Sequence, residues 1–104
     1  MRLSSYEISI IKKILLKHES NGKIYLHGSR IDDLKKGGDI DLFFVVPDES
    51  FKDITNNKII ISAELSLNLN EQKIDLTCLS FSEETTNSFF KNSQKVELKK
   101  NQAR

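Results

Sequence analysis

The chain has 104 residues, with 16 lysines and arginines against 15 aspartates and glutamates, a formal net charge of +1. That length suits one small core, and the even charge balance supplies no global field to draw in nucleic acid or an anionic membrane. A single cysteine, Cys78, cannot form an internal disulfide and reads as a buried thiol acting as a small hydrophobe.

The first element is a helix. Ser4 and Glu7 have capping-box spacing. Ile8, Ile11 and Leu15 follow at helical intervals, and Ile10 and Ile14 widen the stripe. His18 extends that stripe as a packing or boundary residue. Ser20, Asn21 and Gly22 make the turn that ends the helix. Lys23 to His27 reads as a short strand running straight into Gly28 and Ser29. Ser29 is a good N-cap for a short helix through about Lys36, stopped by Gly37 and Gly38. Asp39 to Val46 (DIDLFFVV) is the clearest strand, closed by Pro47 and Asp48.

From Phe51 the period changes. Phe51, Ile54, Lys58, Ile61, Leu65 and Leu69 lie three or four apart, which predicts one long helix from about Ser50 to Leu69. Ile59 to Ile61 admits a strand as the alternative. Lys73 to Ser80 (KIDLTCLS) is a third strand. Ser82 with Glu84 and Thr85 starts a last helix to about Phe90, and Lys95 to Leu98 adds an edge strand. Lys99 to Arg104 is a polar tail. This alternation predicts a single α/β (α+β) domain over residues 1–98. Its small mixed sheet has three to four strands, with helices packed on one face. No apolar run reaches the ~20 residues of a membrane helix, and the N-terminus lacks the order of a signal peptide. The expected location is the cytoplasm.

Chemistry concentrates in two places. Asp39 and Asp41 lie two apart on a strand, so both carboxylates project from one face while Ile40, Leu42 and Phe44 point into the core. Such a pair repels itself unless a cation stands between the two, and magnesium takes carboxylate and phosphate oxygens. Asp75 repeats the pattern on the third strand, opposite in parity to Ile74, Leu76 and Cys78. With neighbouring backbones ~4.8 Å apart, the three acids could share a face and hold two metals ~4 Å apart. Gly28 and Ser29 mark the other place. A turn from strand to helix N-terminus offers free N–H groups to phosphate, and glycine permits close approach. Arg30 could add a charged bond, although an exposed helix arginine is the plainer reading. Phe43 and Val45 share Asp41's parity. They could meet a nucleotide base or a partner, and packing beneath a helix is the slightly favoured alternative. His27 could help hold a phosphate, but ending the strand is the favoured role.

In this order, HGSRIDDLKKGGDIDLFF resembles the signature of the DNA polymerase β-like nucleotidyltransferase superfamily. That signature is a Gly-Ser turn, a spacer, and Asp-x-Asp between apolar residues. Nine residues separate Ser29 from Asp39, a short spacer for the family. KIDLT resembles the strand carrying the third carboxylate. The resemblance runs from about Ser4 to Leu98, and within the superfamily it is to the minimal nucleotidyltransferases. Many of these are antitoxins encoded beside a HEPN-domain toxin. It implies transfer of AMP from ATP to a tyrosine of that toxin. Gly28 and Ser29 would bind the triphosphate, with Arg30 beside them. Asp39 and Asp41 would bind two magnesium ions, and Asp75 would bind one and activate the acceptor hydroxyl. The helix after Ser29 departs from the pattern, with Asp and Lys where arginines are common. Relatives that modify tRNA or aminoglycosides carry acceptor domains that 104 residues leave no room for, so a partner is expected to bring the hydroxyl. Two other functions remain open. One is a module that neutralises a toxin by contact, and the other is transfer to RNA or a small molecule.

Overall fold

The structure is a computed structural model that describes residues 3–28 and 39–99. The expected helix from Ser29, the Gly37–Gly38 stop and most of the tail lie outside the described residues. Helix α1 spans Ser5–His18. Its capping box is present: Glu7 donates its backbone N–H to Ser4 Oγ at 3.1 Å, and Ser4 donates its own to Glu7 Oε1 at 2.9 Å. Strands β1 (Lys23–His27) and β2 (Ile40–Val46) are antiparallel neighbours.

The expected long helix is broken. A 3-10 turn at Asp48–Ser50 leads into α2 (Phe51–Asn56), and α3 runs from Lys58 to Asn68. Asn57 makes the break. Its Nδ2 and its backbone N–H both bond the Asp53 carbonyl, an i−4 partner captured by side chain and main chain together. Lys58, expected in the apolar stripe, is exposed, while Ile54, Ile61, Leu65 and Leu69 are buried.

Strand β3 (Ile74–Ser80) pairs parallel with β2. The expected helix from Ser82 to Phe90 is two pieces, a 3-10 turn at Phe81–Glu84 and a short α4 at Ser88–Asn92. Ser80, not Ser82, caps the first piece, through a capping box with Glu83. Asn87 caps the second by accepting from the Phe90 N–H at 2.9 Å. Strand β4 (Lys95–Glu97) then pairs with β1, giving a mixed four-stranded sheet in the order β3-β2-β1-β4.

Strand parity divides the core in two. Ile40, Leu42, Phe44 and Val46 pack under Ile11, Leu15, Ile61 and Leu65 of α1 and α3, which forms the main core. Phe43 and Val45 face the other way and are buried with Leu79 and Phe90 in a smaller cluster. Packing, not exposure, is therefore the state of Phe43 and Val45. Cys78 is partly buried against the main core, and burial pushes its thiol up from the usual range. His18 bonds Glu64 Oε1 through Nε2 at 3.0 Å, tying α1 to α3. No helix among the described residues is long and apolar enough to cross a membrane.

Candidate active site

The second face of the sheet, where the small cluster stops, is where the acids gather. In the parallel register of β2 and β3, Ile40 pairs with Ile74, Asp41 with Asp75, and Leu42 with Leu76. Hydrophobic alternation fixes this register, since slipping by one residue would turn Leu42 or Leu76 out of the core. The same constraint sets Asp41 and Asp75 side by side on the opposite face. On the other side of Asp41, β1 brings His27 into register with it. Asp39 stands two residues earlier, at the entry to β2, with its Oδ2 3.8 Å from Lys73 Nζ.

Gly28 closes the arrangement at the end of β1. Its φ is +77°, which favours a residue without a side chain. A β-carbon there would come 2.1 Å from Asp41 Oδ2 and 3.0 Å from Asp41 Cγ. The Asp41 carboxylate thus lies against bare backbone at the turn, where a side chain on residue 28 would force it aside. Ser29 and Arg30 lie outside the described residues.

The electrostatics follow from this crowding. Burial, then the negative charges of Asp75 and Asp39, push the Asp41 carboxyl above the usual aspartate range. A strand pair that forces like charges together, with an elevated carboxyl between them, is what an acidic cation site presents. No three His, Cys, Asp or Glu side chains among the described residues converge on one metal-sized point. The donors are nonetheless of the right kind for magnesium, all carboxylate oxygens, with Asp41 and Asp75 on strands whose backbone pairing fixes their spacing and Asp39 just before β2.

His27 is more than a strand end. It is buried, with its ring stacked on Phe43 at 4.0 Å between centroids, and Phe89 meets it edge-on at 5.7 Å. Burial lowers its imidazole below the usual histidine range; Asp75 opposes that shift and Lys95 adds to it. Parity with Asp41 could have pointed to His27 from sequence once β1–β2 pairing was assumed. The nearness of Phe89 and Lys95 could not, because α4 and β4 reach this face by non-local pairing.

A family model described as "Polymerase beta, Nucleotidyltransferase" matches residues 9–102. Comparison with curated proteins returned no match. The matched span includes every strand of the sheet and each of the acids above.

Proposed function

This chain belongs to the polymerase beta nucleotidyltransferase family, and we propose that it is a magnesium-dependent enzyme that transfers AMP from ATP to a hydroxyl group. The observation that carries this reading is the in-register pairing of Asp41 with Asp75, with the bare backbone of Gly28 against the Asp41 carboxylate.

Asp41 and Asp75, joined by Asp39, would hold magnesium through their carboxylate oxygens. Bound magnesium would supply Lewis acidity at the phosphate and at the incoming oxygen. The turn at Gly28 brings backbone within reach of a phosphate. Ser29, with Arg30 beside it, would add hydrogen bonds to the triphosphate. The acceptor oxygen bonds to the α-phosphorus, the bond to pyrophosphate breaks in line, and the hydroxyl proton passes to Asp75. The protein contributes position and charge, with no covalent intermediate.

The finer reading names the acceptor as a tyrosine on a co-encoded HEPN-domain toxin, for which this chain is the antitoxin. Its support is the likeness of the Gly-Ser and Asp-x-Asp spacing to the minimal nucleotidyltransferases. A second reading, neutralisation by contact alone, draws on α3, where Ile59, Ile60 and Leu67 are 82%, 64% and 71% exposed. Apolar exposure concentrated on one helix can mark a partner surface.

One experiment addresses both. The chain is incubated with α-labelled ATP, magnesium and the neighbouring gene product, or with bulk tRNA. Label on a tyrosine of the partner, absent with Asp75→Asn, supports the enzyme. Full neutralisation by Asp75→Asn without label supports contact, and label on tRNA alone overturns the choice of acceptor.

A further inference from the structure

Among the described residues, one buried side-chain polar atom has no hydrogen-bond partner, and it is His27 Nε2. Leaving such a group unpaired costs about 1–3 kcal/mol, so its surroundings call for an explanation. The ring has little freedom to find a partner by itself. It is 8% exposed, lies within 19° of parallel to Phe43, and meets Phe89 at 85°.

Three ionisable groups neighbour the ring: Asp41 stands opposite it across β1–β2 but has its carboxylate turned against Gly28, while Asp75 and Lys95 act on the ring through their charges. Lys95 cannot accept a hydrogen bond. Its ammonium already donates to the Phe90 carbonyl at 2.7 Å and the Ser93 carbonyl at 3.4 Å, over the face of the Phe90 ring. Asp75 is exposed and acceptor-only when ionised. A free ligand does not reach a nitrogen closed off from solvent, whereas rotation of a neighbouring side chain can.

We infer that His27 is a positioning residue, whose Nε2–H donates to the Asp75 carboxylate and turns it toward Asp41. The inference rests on the reading of Asp75 as a site carboxylate. Strand pairing brings the two acids together, but it leaves their side chains free to diverge. A neutral donor locked by Phe43 fixes one Asp75 oxygen without adding a positive charge that would compete with a cation. Outer donors of this kind commonly orient metal-binding carboxylates.

Two substitutions separate this role from packing. His27→Phe keeps a flat ring on Phe43 and removes the donor, while His27→Gln offers an amide N–H at similar reach. Manganese titration followed by electron paramagnetic resonance is expected to show affinity falling about 10–100-fold in His27→Phe and returning in part in His27→Gln. Nitrogen NMR of the imidazole, without metal, is expected to show a neutral ring protonated at Nε2, with that resonance moving in Asp75→Ala. A folded His27→Phe with unchanged manganese affinity overturns the inference, as does an imidazole signal indifferent to Asp75→Ala. If the unmodified protein binds no manganese, the cation-site reading fails by itself, and the imidazole signal alone decides the role of His27.

Discussion

Gly28 and Asp41 are fitted to each other. A methyl group on the first would stand 2.1 Å from Oδ2 of the second. The positive φ of +77° at Gly28 adds a backbone penalty of about 1–2 kcal/mol for any L side chain. Gly28→Ala should therefore destabilise the fold by at least that amount. In an Asp41→Ala background the carboxylate is gone, and only the backbone part and the 3.3 Å approach to the Asp41 β-carbon should remain. Denaturant midpoints for the four proteins measure the coupling, and equal costs in both backgrounds would show that the carboxylate does not press on the turn.

Asp41 should make stability fall as pH rises. Its carboxyl is pushed above its usual range in the fold by burial, Asp75 and Asp39. The folded state then binds more protons than the unfolded state between the two values, and stability is lost as pH rises through that window. In metal-free buffer at neutral pH, Asp41→Asn should melt higher than the parent. Below the ordinary aspartate value the difference should close. Thermal melts across the acid range test the sign.

Glu64 should behave in the opposite way. Hydrogen bonds from Lys17 and His18 outweigh burial and, with a smaller contribution from those residues' charges, hold its carboxyl below the usual glutamate range. This link between α1 and α3 contributes stability above the unfolded value, lost as pH falls through the folded one. Being near the surface, it should be worth about 0.2–1 kcal/mol. Glu64→Gln should lower stability by that amount at neutral pH and by less in acid, readable from urea midpoints.

Phe43 is wholly buried and touches Phe89 and Phe90 as well as His27, with ring centroids 5.3, 5.0 and 4.0 Å away. Phe43→Ala should cost about 3–5 kcal/mol, a large share of the ~5–15 kcal/mol available to a small domain. Ile59→Ser, at an exposed position of α3, should change stability by no more than about 0.5 kcal/mol. Calorimetric melts of the two variants should differ accordingly, and a large loss from Ile59→Ser would mean that α3 is packed differently.

Local signals carried much of this structure. Ser4 and Glu7 announced α1, and alternation in DIDLFFVV and KIDLTCLS set β2 and β3 and the parity of their acids. What stayed hidden was non-local or lacked a periodic mark. The apolar stripe from Phe51 to Leu69 continues through Asn57, so spacing alone could not reveal that Asn57 takes the Asp53 carbonyl and splits the helix. Parity alone left Phe43 and Val45 undecided, because their burial depends on Phe90 arriving from far along the chain. At the site, the spacing of Asp39, Asp41 and Asp75 offered a shared face, but the pairing of Asp41 with Asp75 needed the parallel register. The stacking of His27 on Phe43 was equally out of reach, since ring contacts are set by three-dimensional packing.

The most direct measurement is calorimetric titration of a non-hydrolysable ATP analogue into the unmodified chain, with and without magnesium, repeated with Asp41→Asn and Asp75→Asn. Magnesium-dependent binding that weakens sharply in both variants is the predicted result. Binding that ignores magnesium, or that survives intact when either carboxylate is neutralised, would contradict the assignment of the paired acids to a nucleotide site.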